Sequence, residues 1–142
     1  MSNEILQKEI DLIQSCVSRM ASNSFLLKGW SVSIAAVVLA LSEKDAKIGL
    51  SCAIVSLPLL SFWYLDAFFL RTERMYRKLY EWVINNRPAG DTTHLYDLNP
   101  HRFSCSVSGI FRTMFSQTLL LFYGVPLLLM SLIATYSFFV KP

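Results

Sequence analysis

Apolar positions in this chain fall into long, charge-free runs separated by short charged stretches. No charged side chain occurs from Ile48 to Leu65, and none from Thr113 to Val140. A helix rising about 1.5 Å per residue needs roughly 20 residues to cross the ~30 Å hydrocarbon core of a bilayer. The second run exceeds that length. The first reaches it when continued to Leu70, with Asp66 near the interface. A third apolar stretch, Gly29–Ser42, is shorter, but Ser24–Leu27 extend it and Lys28 can snorkel from its boundary. The pattern predicts an all-α membrane protein with three transmembrane helices, at 25–42, 48–70 and 113–140.

A different periodicity precedes these runs. Leu6, Ile10, Ile13, Val17 and Met20 recur at alternating four- and three-residue steps, the seam of a short coiled coil. Glu4, Lys8, Glu9, Asp11 and Arg19 occupy the other faces. This spacing predicts an amphipathic helix over 1–24, and so short a seam must pack on something. Its partner is the same helix in another subunit, the cytoplasmic helix after span two, or both. Met1–Met20 is charged and amphipathic, unlike a cleaved signal peptide.

The linkers are equally readable. Ser42-Glu-Lys-Asp-Ala-Lys47 is short enough to force spans one and two into an antiparallel hairpin. Small residues, Gly29, Ser33, Ala36 and Ala40 on one span and Gly49, Ala53 and Ser56 on the other, suit close helix contact in lipid. Pro58 predicts a kink. From Tyr64 to Val83 there is no Gly or Pro, so span two should continue as a cytoplasmic helix over 71–85. Along it Glu73 can pair with Arg77, and Arg77 with Glu81. Residues 86–112 then form a cytoplasmic loop, rich in turn formers from Asn85 to Pro100, and an interfacial segment. Phe103–Gln117 reads as one amphipathic helical stretch bearing Phe103, Ile110, Phe111 and Phe115.

Composition agrees with this reading. The 142 residues are 54% hydrophobic and only 16% charged, where soluble domains carry about 25% charged residues. The basic residues set orientation, because cytoplasmic flanks collect Lys and Arg. Arg71, Arg74, Arg77, Lys78, Arg87, Arg102 and Arg112 lie between spans two and three, and Lys8, Arg19 and Lys28 precede span one. Only Lys44, Lys47 and Lys141 mark the other side. The expected location is a cell inner membrane, with the N-terminus cytoplasmic and the C-terminus outside. Cys16 and Cys105 then face a reducing compartment, and no disulfide framework is expected.

Four features could carry chemistry. Arg71, Arg74, Arg77 and Lys78 form a cationic stripe at the lip of span two, suited to phosphate on a nucleotide or on a lipid headgroup. Tyr76 and Tyr80 could add stacking. Asp66 is the one acid within an apolar span and needs a partner or water; it fits a subunit interface, a pore mouth, or the headgroup level. Gln117, Gly124, Ser131 and Thr135 form a small or weakly polar stripe on span three, fit either to line a narrow pathway or to pack helices. Gly124 and Pro126 could supply a hinge. The seam Leu6, Ile10, Ile13, Val17 and Met20 is the candidate oligomerisation surface.

His94, Asp97, His101 and Cys105 match no tight zinc spacing, and no metal site or cofactor is expected. The chain has no Gly-rich phosphate loop, no paired intramembrane carboxylates and no HExxH. No catalytic residue, and no enzyme activity, is predicted.

Leu27-Lys-Gly-Trp-Ser31, Phe62-Trp-Tyr-Leu-Asp-Ala-Phe-Phe-Leu-Arg-Thr-Glu-Arg74, Arg77-Lys-Leu-Tyr80 and Phe115-Ser-Gln-Thr-Leu-Leu-Leu-Phe-Tyr-Gly124 resemble small bacterial transmembrane effectors of anti-phage defence, nearest the membrane effector of the Hailong system. That resemblance implies an oligomeric ion channel controlled by a nucleotide oligomer from a partner nucleotidyltransferase. In that family the nucleotide keeps the channel closed and infection releases it. With lipid as solvent and too few spans to enclose a pore alone, the working unit is expected to be a homo-oligomer, a tetramer as first expectation. Direct genomic DNA binding is not expected. The competing expectation is a non-channel scaffold or accessory subunit that recruits a partner through its cytoplasmic helices.

Overall fold

The computed structural model of the chain describes residues 3–42 and 48–140. Helix α1 runs from Asn3 to Ser42 and α2 from Ile48 to Asn86. A 3₁₀ helix spans Pro100–Ser106, and α3 spans Ile110–Met114. Helix α4, Gln117–Leu119, passes through a wide π turn at Leu120–Gly124 into α5, Val125–Val140. Among the described residues there is no strand. The turn expected to join the first two helices, residues 43–47, lies outside the described residues, as does Lys141.

The amphipathic helix and the first of the three expected spans are a single rod. At 1.5 Å per residue the 40 residues of α1 extend about 60 Å, twice the thickness of a hydrocarbon core. The polar stretch Ser22-Asn23-Ser24, which marks a boundary in the sequence, does not interrupt it. Helix α2, 39 residues long, is continuous from the apolar run through Val83, as the lack of Gly and Pro there predicts. Pro58 lies inside it.

Helices α1 and α2 pack antiparallel. Glu9 meets Arg87, Ile13 packs with Leu79 and Val83, and Ser24 meets Asp66. In the first half of α1 the seam therefore turns inward. Ile13, Leu79 and Val83 are buried together, with Leu6, Ile10, Val17, Tyr76 and Tyr80 around them. Of the two partners open to the seam, the second half of α2 is the one it meets within the chain. A second core, Leu59, Trp63, Ala67, Leu119 and Tyr123, joins α2 to α4 and the π turn.

Among the described residues two helical stretches, Ile54–Asn86 and Gln117–Tyr136, are long and apolar enough to cross a membrane. The surface pattern suggests membrane association as well. Phe25, Trp30 and Val37 of α1, Ile54 and Leu57 of α2, and Leu121, Leu128 and Leu132 at the π turn and on α5 all stand exposed. A monomer in water rarely leaves so much apolar surface uncovered.

The structure corrects the expected single stretch over Phe103–Gln117. It breaks at Val107, which is extended, and again at Ser116, whose ψ is 148°. The third apolar helix accordingly starts at Gln117 rather than at Thr113. Pro126 accounts for the π turn: it has no N–H to offer the Phe122 carbonyl, and its ring crowds that oxygen. A widened turn relieves both problems.

Candidate functional site

Among the described residues, three groupings of polar side chains stand out. Nearest the middle of the two long helices, Asp66 is fully buried. Ser24 Oγ donates to its Oδ1, Lys28 Nζ donates to Oδ2 at 2.5 Å, and Tyr123 Oη donates to the same oxygen at 3.1 Å. Lys28 Nζ also reaches Ser24 Oγ at 2.8 Å. One carboxylate thus ties α1, α2 and the π turn together. Trp63 reinforces the junction by donating Nε1–H to the Met114 carbonyl at 2.9 Å. Asp66 meets its partners inside the chain and is closed off from the surface of this one copy. An uncompensated acid in an apolar span costs several kcal/mol, and three donors remove that penalty.

At the far end of α2, Arg87 and Glu9 form a buried, two-pronged ion pair, with both guanidinium–carboxylate distances 2.8 Å. The remaining Arg87 N–H groups donate to the carbonyls of Asp91, Thr93 and His94 at 2.7–3.0 Å. All five donors are used. The loop after α2 wraps around this side chain, which explains how it holds left-handed backbone at His94 and Tyr96, with φ of 55° and 58°. The Glu9 hydrogen bond raises the Arg87 pKa further. Hydrogen bonds from Thr93 hold the Asp91 carboxyl below the usual carboxylate range. The stability this gives the loop is full above about pH 4 and should fade as pH drops through the lowered value. Amide exchange of residues 91–97 against pH should show protection lost only on the acid side.

Between these two junctions lies the cationic lip. Arg74, Arg77, Lys78 and Glu81 of α2 face Ser106, Val107 and Ser108 across an open cleft of about 300 Å³. Three of the four predicted cations line it. Arg71 does not: its Nε and Nη2 donate to the carbonyls of Ser108 and Ser104 at 3.2 and 3.4 Å. Arg77 pairs with Glu73 at 2.6 Å. Glu81 pairs with Lys78 at 2.7 Å rather than with Arg77, whose guanidinium is already committed one turn back. Arg74 makes no ion pair or hydrogen bond among the described residues, so it is the cation freest to meet an anion. Tyr76 and Tyr80 pack towards Ile13, and burial against α1, beside Cys16, pushes the Tyr76 phenol up. They are engaged with α1 rather than placed to stack in the cleft.

The span-three stripe is altered by the π turn. One extra residue rotates the rest of the helix by about 100°, so Gln117 does not share a face with Ser131 and Thr135. All three are exposed. The Ser131 and Thr135 hydroxyls donate to the carbonyls of Leu128 and Ser131, each at 2.7 Å, which blunts their polarity. A Cβ on Gly124 would meet Leu120 Cδ1 at 3.0 Å, so a larger residue there requires the exposed Leu120 side chain to give by a few tenths of an ångström.

His94 Nδ1 lies 3.6 Å from Asp97 Oδ2, and among the described residues no group of three or more metal-ligating side chains converges.

Sequence reasoning missed Glu9, Lys28 and Tyr123 as partners and Ser106–Ser108 as the second wall of the cleft. The unmet need of Asp66 was the one available signal; Tyr123, one of two phenols in the Thr113–Val140 run, could have answered it.

The chain matches no protein-family model, no curated protein and no solved structure at a significant level.

Proposed function

We propose that this chain is one subunit of a homo-oligomeric channel, or membrane-disrupting effector, gated from the cytoplasm. The gating ligand is a nucleotide oligomer made by a partner nucleotidyltransferase, and the setting is bacterial anti-phage defence. The observation that carries the reading is the cleft: three cations on the cytoplasmic part of α2 face the segment that leads into the last apolar helix. Phosphate suits guanidinium and ammonium groups so arranged. A ligand there touches both a fixed helix and the entry to a membrane span. The resemblance to anti-phage membrane effectors supplies the ligand class and the biological setting.

In this reading three helices cross the inner membrane: the second half of α1, the first half of α2, and α4 through α5. The N-terminus and the cleft are cytoplasmic and the C-terminus is outside. Three helices cannot enclose a pore, so several copies, four as the first expectation, must assemble. Gln117, Ser131 and Thr135, outward-facing in one chain, are available to meet a neighbouring copy or a water pathway.

Purified protein in planar bilayers should conduct, and expression should depolarise cells. Replacing Arg74, Arg77 and Lys78 together with Gln should weaken the nucleotide response at least tenfold while assembly persists. Electrically silent bilayers at high protein density would eliminate the channel.

A scaffold is the second reading, favoured by Leu95 and Tyr96. Both are exposed on the loop that Arg87 holds rigid, at the end of α2 farthest from the apolar half. It predicts partner capture without leakage, insensitive to nucleotide.

A further inference from the structure

The cleft has one rigid wall and one tethered wall. The rigid wall is α2. The tethered wall, Ser106–Ser108, belongs to no α-helix: it is the last residue of the 3₁₀ helix and the two that follow it, ahead of α3. Three side chains of α2 fasten this region at successive levels. Arg71 holds the carbonyls of Ser104 and Ser108. Trp63 holds the carbonyl of Met114, and Asp66 accepts from Tyr123 on the π turn. Positions 63, 66 and 71 descend one helix, so the fastenings run from the cleft to the last apolar helix.

From this arrangement, and resting on the reading of the cleft as a phosphate site, we infer that Arg71 is a positioning residue. It couples the occupied cleft to the span-three helix and does not itself bind the ligand. The division of labour is set by what each cation already does. The Arg71 guanidinium is committed to two carbonyls, and Arg74 is uncommitted. A phosphate on Arg74 that also draws in the Ser106 or Ser108 hydroxyl or amide stiffens the tethered wall. Arg71 passes that stiffening to Gly109 and α3, because Ser108 is both a lining residue and an Arg71 partner. A Lys has donors enough for both carbonyls but lacks the planar fork whose Nε and Nη2 each meet one, so it should hold them less firmly.

The chemistry recognised is a phosphoester or polyphosphate anion, which lipid headgroups and soluble ligands share. The test uses the full chain in phosphatidylcholine nanodiscs, with inorganic tripolyphosphate as the soluble probe. A parallel arm adds phosphatidylglycerol without tripolyphosphate. Binding is read by calorimetry, and transmission by amide exchange over residues 104–123.

In the wild type, the probe should slow exchange severalfold at 104–108 and also at 110–123. Arg71→Gln should keep Kd within about threefold yet confine protection to 104–108. Arg71→Lys should fall between, a graded outcome that a general folding defect would not give. Arg74→Gln should weaken binding at least tenfold.

A tenfold loss of binding in Arg71→Gln would make Arg71 a ligand contact and overturn the inference. So would protection that reaches 110–123 undiminished in that variant, or wild-type binding whose protection stops at Ser108. These outcomes leave the phosphate site standing. Absence of tripolyphosphate binding in the wild type would overturn both. Protection by phosphatidylglycerol alone would identify the headgroup as the occupant and replace the soluble ligand.

Discussion

Replacing Arg87 with Ala should lower the stability of the chain by about 3–5 kcal/mol, the cost of leaving one member of a buried pair unanswered. Glu9 would keep a buried charge with only the Tyr96 N–H, at 3.2 Å, to meet it. Three carbonyls of the adjoining loop would lose their donor as well. Glu9→Gln should cost less, because an amide can still accept from the guanidinium. The double variant Glu9→Leu with Arg87→Met should recover part of the loss, since well-packed apolar replacements remove the desolvation penalty. Denaturant midpoints in detergent, tracked by circular dichroism, would rank the four proteins. A loss below about 1 kcal/mol for Arg87→Ala would place the pair in water rather than in the core.

Asp66→Ala should be the second costly change, at about 3 kcal/mol or more, because Lys28 would remain beside an apolar junction with Ser24 as its one side-chain partner. Asp66→Asn should be milder, at about 1 kcal/mol, since its carbonyl can still accept from Tyr123 or Ser24. Trp63 reports on this junction. Its ring stacks on Tyr123 at a centroid distance of 6.4 Å and meets Phe115 edge-on at 5.7 Å. Loss of the carboxylate should loosen the π turn and move Trp63 emission along with the midpoint. An unchanged spectrum and midpoint in Asp66→Ala would show that the three helices hold together without it.

These two junctions also mark where the sequence stops being legible. Local periodicity finds local elements. The Leu6–Met20 seam, the charge-free runs and the unbroken α2 all rest on neighbours within a few turns, and each can be read from spacing. Glu9 and Arg87 are 78 positions apart, and nothing in the pattern around either residue names the other. Asp66 can be flagged because an acid in an apolar run is costly. Its partner Lys28 is in plain view, but spacing alone reads it as a boundary residue reaching for water. The chain at Ser22–Ser24 is where the expected amphipathic helix gives way to the first expected span. It continues as helix because the Ser24 hydroxyl has a tertiary acceptor in Asp66 and need not compete for the backbone.

The cleft is half visible in the sequence. A row of cations three and four apart shares a helix face whatever else happens, so Arg74, Arg77 and Lys78 can be grouped. Glu73 and Glu81 occupy Arg77 and Lys78 within the same helix, but the commitment of Arg71 to the carbonyls of Ser104 and Ser108 depends on a segment much further along the chain, and spacing carries no information about that. The π turn likewise can be traced to Pro126 only once the helix is known to continue on both sides of it.

The length of α1 has a mechanical consequence. It is an unbroken beam without proline, gripped by Asp66 at Ser24 and Lys28, slightly past its midpoint. A second grip, Arg87 on Glu9, keeps it from pivoting about the first, so a sideways push at one end is taken up by bending of the rod rather than by tilt.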